Sequence, residues 1–143
     1  MPSFKVFDIA GSALSAQSVR LNTVASNLAN ADSVSGDPST VYKARHPVFE
    51  AVRASLGSRM GPNQGSDAAV RVNGIVESDA PPTARYEPGN PLANEQGYIY
   101  APNVNVVEEM VDMISASRAY QNNVEVMNTS KDLMLATLKL GQG

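Results

Sequence analysis

The last third of the chain repeats apolar residues at alternating spacings of four and three, and this period limits the fold more than any other feature. Val106, Met110, Met113, Ser117, Tyr120, Val124, Met127, Lys131, Met134 and Leu138 form one stripe, and eight of the ten are apolar or aromatic. That spacing predicts an amphipathic helix with a coiled-coil seam. Pro102 precedes the helix, Asn105 can cap it, and Glu108 sits where a capping-box partner belongs. Glu108, Glu109 and Asp112 suit the positive end of a helix dipole, Lys139 suits the other end, and Gly141 is a natural stop. Residues 106–140 would span about 52 Å, whereas a compact globule of 143 residues has a diameter of roughly 37 Å. A helix this long has to overhang its own domain or lie against something else.

A second helix is predicted at the other end. Phe7, Leu14, Leu21 and Leu28 recur every seven positions, and Ala10, Gln17, Val24 and Ala31 follow each by three. Ser3 can cap this helix, which should stop near residues 30–33, before the breakers Ser35-Gly36-Asp37-Pro38. At about 40 Å it could pair with most of the C-terminal helix but not all of it. Val107, Val111, Ile114 and Leu135 lie beside the seam, so the apolar surface is wider than one partner helix needs. Met110, Met113, Met127 and Met134 add adaptable side chains that fill a core or an interface equally well.

Residues 32–104 hold eight of the nine prolines and seven of the ten glycines. Val70–Asn73, Gly74–Glu77, Ala84–Tyr86 and Gly97–Tyr100 read as short strands, and residues 57–67 as a mobile Gly/Ser/Asn/Gln loop. The expected fold class is therefore mainly α. Residues 1–34 and 103–143 would form one discontinuous helical coiled-coil domain, and residues 35–102 a linking element with a small β-rich, loop-rich region. Two helices joined to such a middle bury little surface and should be marginal alone.

Composition removes several classes of function. Eleven basic against fourteen acidic side chains give a formal charge of −3, with no basic excess to neutralise a phosphate backbone. The absence of Cys removes disulfides, thiolate metal sites and cysteine nucleophiles. The single histidine, His46, is followed by Pro47 and has no metal-ligand spacing around it. No phosphate loop, nucleophile elbow or zinc-protease motif occurs, and first-turn acids such as Glu108 and Glu109 ordinarily serve the dipole. No enzyme, cofactor, metal, nucleic acid or small-molecule substrate is expected. Residues 1–15 lack the unbroken apolar core of a cleaved signal peptide, and no stretch approaches the roughly 18 apolar residues of a membrane span.

Three segments carry a resemblance. Asn27-Leu28-Ala29-Asn30 resembles the amino-terminal signature of bacterial flagellar axial proteins. Residues 41–50, VYKARHPVFE, resemble the element that follows it in rod proteins. Residues 103–124, NVNVVEEMVDMISASRAYQNNV, resemble the carboxy-terminal signature. The chain is thus similar to the flagellar basal-body rod family, most of all to its short proximal-rod members, while residues 55–95 match nothing recognisable. The resemblance implies a structural subunit exported without a cleaved signal. It would polymerise through its terminal helices into the periplasm-spanning shaft that transmits torque and encloses the export channel. Implied partners are further copies, other rod subunits, the export-gate and ring junction protein at the rod base, and the surrounding ring proteins. It would not be an integral membrane protein.

Seams and matching motifs together nominate Leu14, Leu21, Asn27, Leu28, Asn30, Met110, Met113, Ile114, Arg118, Tyr120, Val124 and Met127 as assembly residues. Asn27 and Asn30 either cap the helix end locally or bond across subunits, and Arg118 and Tyr120 either pack within the chain or between chains. The rival readings are another short flagellar axial subunit and a non-flagellar coiled-coil adaptor.

Overall fold

A computed structural model of the chain describes residues 2–53 and 68–141. Helix α1 runs Pro2–Ala29, followed by strands β1 Arg45–Arg53, β2 Ala68–Glu77, β3 Thr83–Tyr86 and β4 Tyr98–Ala101, and helix α2 Val106–Leu140. The two long terminal helices and small strand region make a mainly α protein. Asn105 caps α2 as expected, with its side-chain oxygen accepting from the Val107 N–H. That bond falls one position short of the Glu108 amide that a capping box uses. At the other end of the chain α1 already includes Pro2, so Ser3 lies inside the first turn and is not the cap. Proline fits a first turn because the N–H it lacks has no helical partner there. Gly141 ends α2 in a right-handed conformation (φ −83°), without the left-handed cap that glycine usually supplies.

The helices pack antiparallel. Asn27 near the end of α1 meets Glu109 at the start of α2, and Arg20, two turns back, meets Asp112. With Asn27 level with Glu109, α1 runs out about level with residue 134 at equal rise per residue, and the tip of α2 overhangs. Leu140 in that tip is 84% exposed.

Strands β1 and β2 form an antiparallel ribbon on another face of α1. Its base lies at Asn27, which bonds Arg45, and its far part at Ser12, whose hydroxyl accepts from the Val70 N–H. Among the described elements, α2 and the ribbon both pack on α1 and not on each other, so α1 is the common support. The two runs read as Val70–Asn73 and Gly74–Glu77 are one strand. Val48 pairs with Gly74 and Phe49 with Val72, leaving Asn73 as the extra residue of a bulge. Strand β1 was not legible as a strand because Pro47 interrupts it. A two-stranded ribbon tolerates proline because each strand has an open edge that needs no donor. The expected loop over 57–67 lies outside the described residues.

Strands β3 and β4 make a separate small hairpin, tied to the segment after α1 by paired backbone bonds between Ser35 and Tyr100. Ile99 is its buried side chain. In the turn that Asp37 opens, its carboxylate accepts from the Ser39 N–H and hydroxyl, which holds its pKa below the usual carboxylate range. The β3–β4 connection needs a glycine at position 97, where φ is +81°. A Cβ there would also come within 2.9 Å of the Tyr86 ring and 3.2 Å of Pro88. Gly97→Ala should cost about 1–3 kcal/mol in a urea melt, from left-handed strain plus the displaced ring. Gly89→Ala, which meets nothing within 4 Å, should shift the midpoint far less.

Candidate functional site

A connected polar constellation sits where α1 ends, β1 begins and α2 begins. Its centre is Asn27, which is 0% exposed. The Asn27 side chain donates to the Arg45 carbonyl (2.9 Å) and to Glu109 Oε1 (2.8 Å). Its Oδ1 accepts from the Tyr42 hydroxyl and the Arg45 N–H, both at 2.9 Å. Two donors and two acceptors exhaust what an amide side chain offers. Tyr42 also shares a bond with Ser26, and the Arg45 guanidinium lies 5.5 Å from the centre of the Tyr42 ring. Asn103, just before α2, accepts from the Ala44 N–H and donates to the Ala80 carbonyl, closing the other side of the junction.

Around this knot, the inward face of α2 differs from the expected seam. Its least exposed positions are Glu109, Asp112–Met113, Ala116–Ser117, Ala119, Asn123, Met127, Ser130 and Met134. This stripe shares Met113, Ser117, Met127 and Met134 with the sequence seam but is centred one residue earlier at Glu109, Ala116, Ala119, Asn123 and Ser130. The reason is chemical. Small Ala116, 0% exposed, and the polar Glu109, held by Asn27, are what α1 accepts. The sequence seam put Met110 against the partner helix, and it is instead 53% exposed; Val107, Val111 and Ile114, expected beside the seam, are more than half exposed too.

The nominated residues therefore separate into groups. Leu14, Leu21 and Leu28 are half-buried on α1, and Met113 and Met127 are half-buried on α2. Met110, Ile114 and Arg118 form an exposed i, i+4, i+8 row, with Tyr120 and Val124 exposed nearer the inward face. Asn27 belongs to the intrachain knot and has no hydrogen-bonding capacity left for a neighbour. Asn30 bonds back to the Ser26 carbonyl (2.8 Å), a local contact at the helix end. Of the two alternatives for these asparagines, Asn30 takes the local one, while Asn27 bonds within the chain to segments distant in sequence. Tyr42, Glu109 and Asn103 were missed as members of a site. Their signal was the presence of polar side chains beside apolar stripes, which the period alone does not rank. Among the described residues no helix is long and apolar enough to cross a membrane.

Comparison with known proteins agrees with this architecture at both ends. Residues 7–36 match the family model described as flagella basal body rod protein, and residues 95–140 match the C-terminal model of the flagellar basal body rod FlgEFG proteins. Over 99% of the chain and the full length of each relative, it is 55% identical to the flagellar basal-body rod protein FlgC of Escherichia coli O6:H1 and 54% identical to that of Salmonella typhimurium. The FlgC of Bacillus subtilis is 34% identical over the same share. Two terminal helices that match rod models, joined by a middle that aligns along its whole length, place the chain in the FlgC family of flagellar basal-body rod proteins, as a structural subunit of the rod.

Proposed function

We propose that the chain polymerises through its terminal helices, as a coiled-coil layer, into the proximal part of the rod, the shaft that transmits torque and encloses the export channel. The observation that carries this is the outward apolar face of α2, where Val107, Met110, Val111 and Ile114 stay more than half exposed although the helix is already paired with α1. Covering half-exposed side chains of this size contributes roughly 1 kcal/mol each. Repeated at every subunit contact, that suffices to favour a polymer over free chains. Leu14, Leu21 and Leu28 on α1, and Arg118, Tyr120 and Val124 on α2, would extend the same contact. Residues 1–34 and 103–143 act as the assembly domain, and residues 35–102 face other components. The partners are further copies, neighbouring rod subunits, the export-gate and ring junction protein at the base, and the enclosing rings. The role is mechanical and needs no catalysis. It places the chain in the periplasm-spanning basal body.

The test uses a strain lacking the protein. Electron microscopy of purified basal bodies should show no rod, and the wild-type chain should restore it. Because the sequence has no Cys, Val111→Cys introduces a single thiol whose accessibility reports the α2 face directly. A thiol-reactive maleimide should label this variant fully in the dilute purified chain and poorly in basal bodies. Intact rods in the deletion strain would remove the proposal.

A further inference from the structure

One planar amide ties together three segments that are far apart in sequence. Asn27 engages both the N–H and the carbonyl of Arg45, as a residue of a neighbouring strand would, and the same group donates to Glu109. A rotation of the amide that followed Glu109 would pull its oxygen and nitrogen off Arg45. Arg45 is the first residue of β1, and Glu109 lies in the first turn of α2. The elements they belong to do not touch each other, so this side chain joins them through α1, beside the Asn103–Ala44 bond between the segments that precede them.

We propose that Glu109 acts through Asn27 as a positioning residue, so that docking of the first turn of α2 and ordering of the first residue of β1 are one event. Glu109 is buried, and its carboxylate accepts the Asn27 donor that faces α2. With that acceptor present, the amide has one orientation that satisfies all four of its bonds. Without it, a buried donor is left unmade and the amide is free to turn away from Arg45. The ribbon on one side of α1 and the helix on the other therefore report to each other. A neighbour that pulls on α2 alters the base of the ribbon. The inference concerns the isolated chain and stands independently of the rod reading.

Amide hydrogen exchange on the full-length purified chain tests it. The Arg45 N–H is bonded to Asn27, and the adjacent Ala44 N–H is bonded to Asn103, which lies outside the four-bond set and serves as internal reference. Glu109→Ala should speed exchange at Arg45 by about ten- to a hundredfold, and at Ala44 by clearly less. Glu109→Gln, which keeps an acceptor oxygen, should leave Arg45 within about twofold of the parent chain. Arg45 exchange unchanged in Glu109→Ala, or raised equally at both amides in a chain that is still folded, overturns the proposal. Should Glu109→Ala fail to fold, a paired variant decides. Asn27→Asp faces the Glu109 carboxylate with a second one, and adding Glu109→Gln restores a donor between them. The double variant should recover at least half of the urea midpoint lost by Asn27→Asp alone, and no recovery overturns the proposal.

Discussion

Asn27→Leu is expected to abolish stable folding of the isolated chain, whereas Asn30→Leu, three residues on, should leave it nearly as stable as the parent. The two asparagines flank one motif and look alike in sequence. Asn27 makes four hydrogen bonds in a fully buried position, and Asn30 makes one, to a carbonyl of its own helix. Leucine is close to asparagine in shape but offers no partner to Tyr42, Glu109 or the Arg45 backbone. Tyr42 keeps its bond to Ser26, and the Arg45 backbone lies near enough to solvent to recover part of its loss. The carboxylate of Glu109 recovers least. Buried groups left unmade cost about 1–3 kcal/mol each, so the total is about 3–5 kcal/mol. Against it stands a small core. Apart from alanines, the buried hydrophobic residues among those described are Val24, Val41 and Ile99. That places the chain towards the low end of ordinary domain stability, about 5 kcal/mol. Urea unfolding followed by circular dichroism decides the matter. A midpoint for Asn27→Leu close to that of Asn30→Leu would show that the knot contributes little.

Both helices were legible because a periodic apolar pattern over thirty residues has few other solutions. The strands around Val72, Arg85 and Ile99 were legible for the same local reason, bounded as they are by Gly and Pro. What the pattern did not reveal is which side of α2 meets α1. Hydrophobicity ranks Met110 and Ile114 above Ala116 and Glu109, and the pair chooses the second set. Two physical facts explain this. A small residue lets helix backbones approach closely, and a buried carboxylate is acceptable wherever one specific donor meets it. That donor, Asn27, is 82 residues away in sequence, so no local window contains the information. Strand β1 escaped for a related reason. Its register is set by the Asn27 amide and by β2, while its own sequence, with His46-Pro47, argues against a strand. Of the large apolar side chains that the helix pair leaves outside, Met110 and Ile114 were among those nominated for assembly, while Val107 and Val111 were read only as surplus apolar surface beside the seam. Foldability and the proposed assembly role thus lie on different faces of one helix.

Separating those faces gives the second large effect. Ile114→Asp should leave the isolated chain within about 1 kcal/mol of parental stability, because the side chain is 55% exposed and an aspartate inside a helix loses only about half a kcal/mol of propensity. In the polymer the same aspartate would lie beside Met110 and Arg118 on a face covered by a neighbour. An unpaired charge buried in such a contact costs several kcal/mol, and about 4 kcal/mol weakens each subunit addition roughly a thousandfold. Arg118, one turn on, is the single nearby cation on that row, and if it reached the aspartate the loss would shrink. Ile114→Asp/Arg118→Ala should therefore assemble even less well than Ile114→Asp. Ala116→Leu is the opposite case. It adds bulk at a position with no exposure, inside the helix pair, and overpacking of that kind costs about 1–3 kcal/mol in the isolated chain. Urea midpoints of the purified variants, measured beside swimming and rod assembly in the deletion strain, distinguish the two faces. Ile114→Asp should be folded and non-motile, and Ala116→Leu destabilised before any assembly is attempted. A folded Ile114→Asp chain that builds rods and swims normally would mean that the outward face of α2 is not the assembly surface.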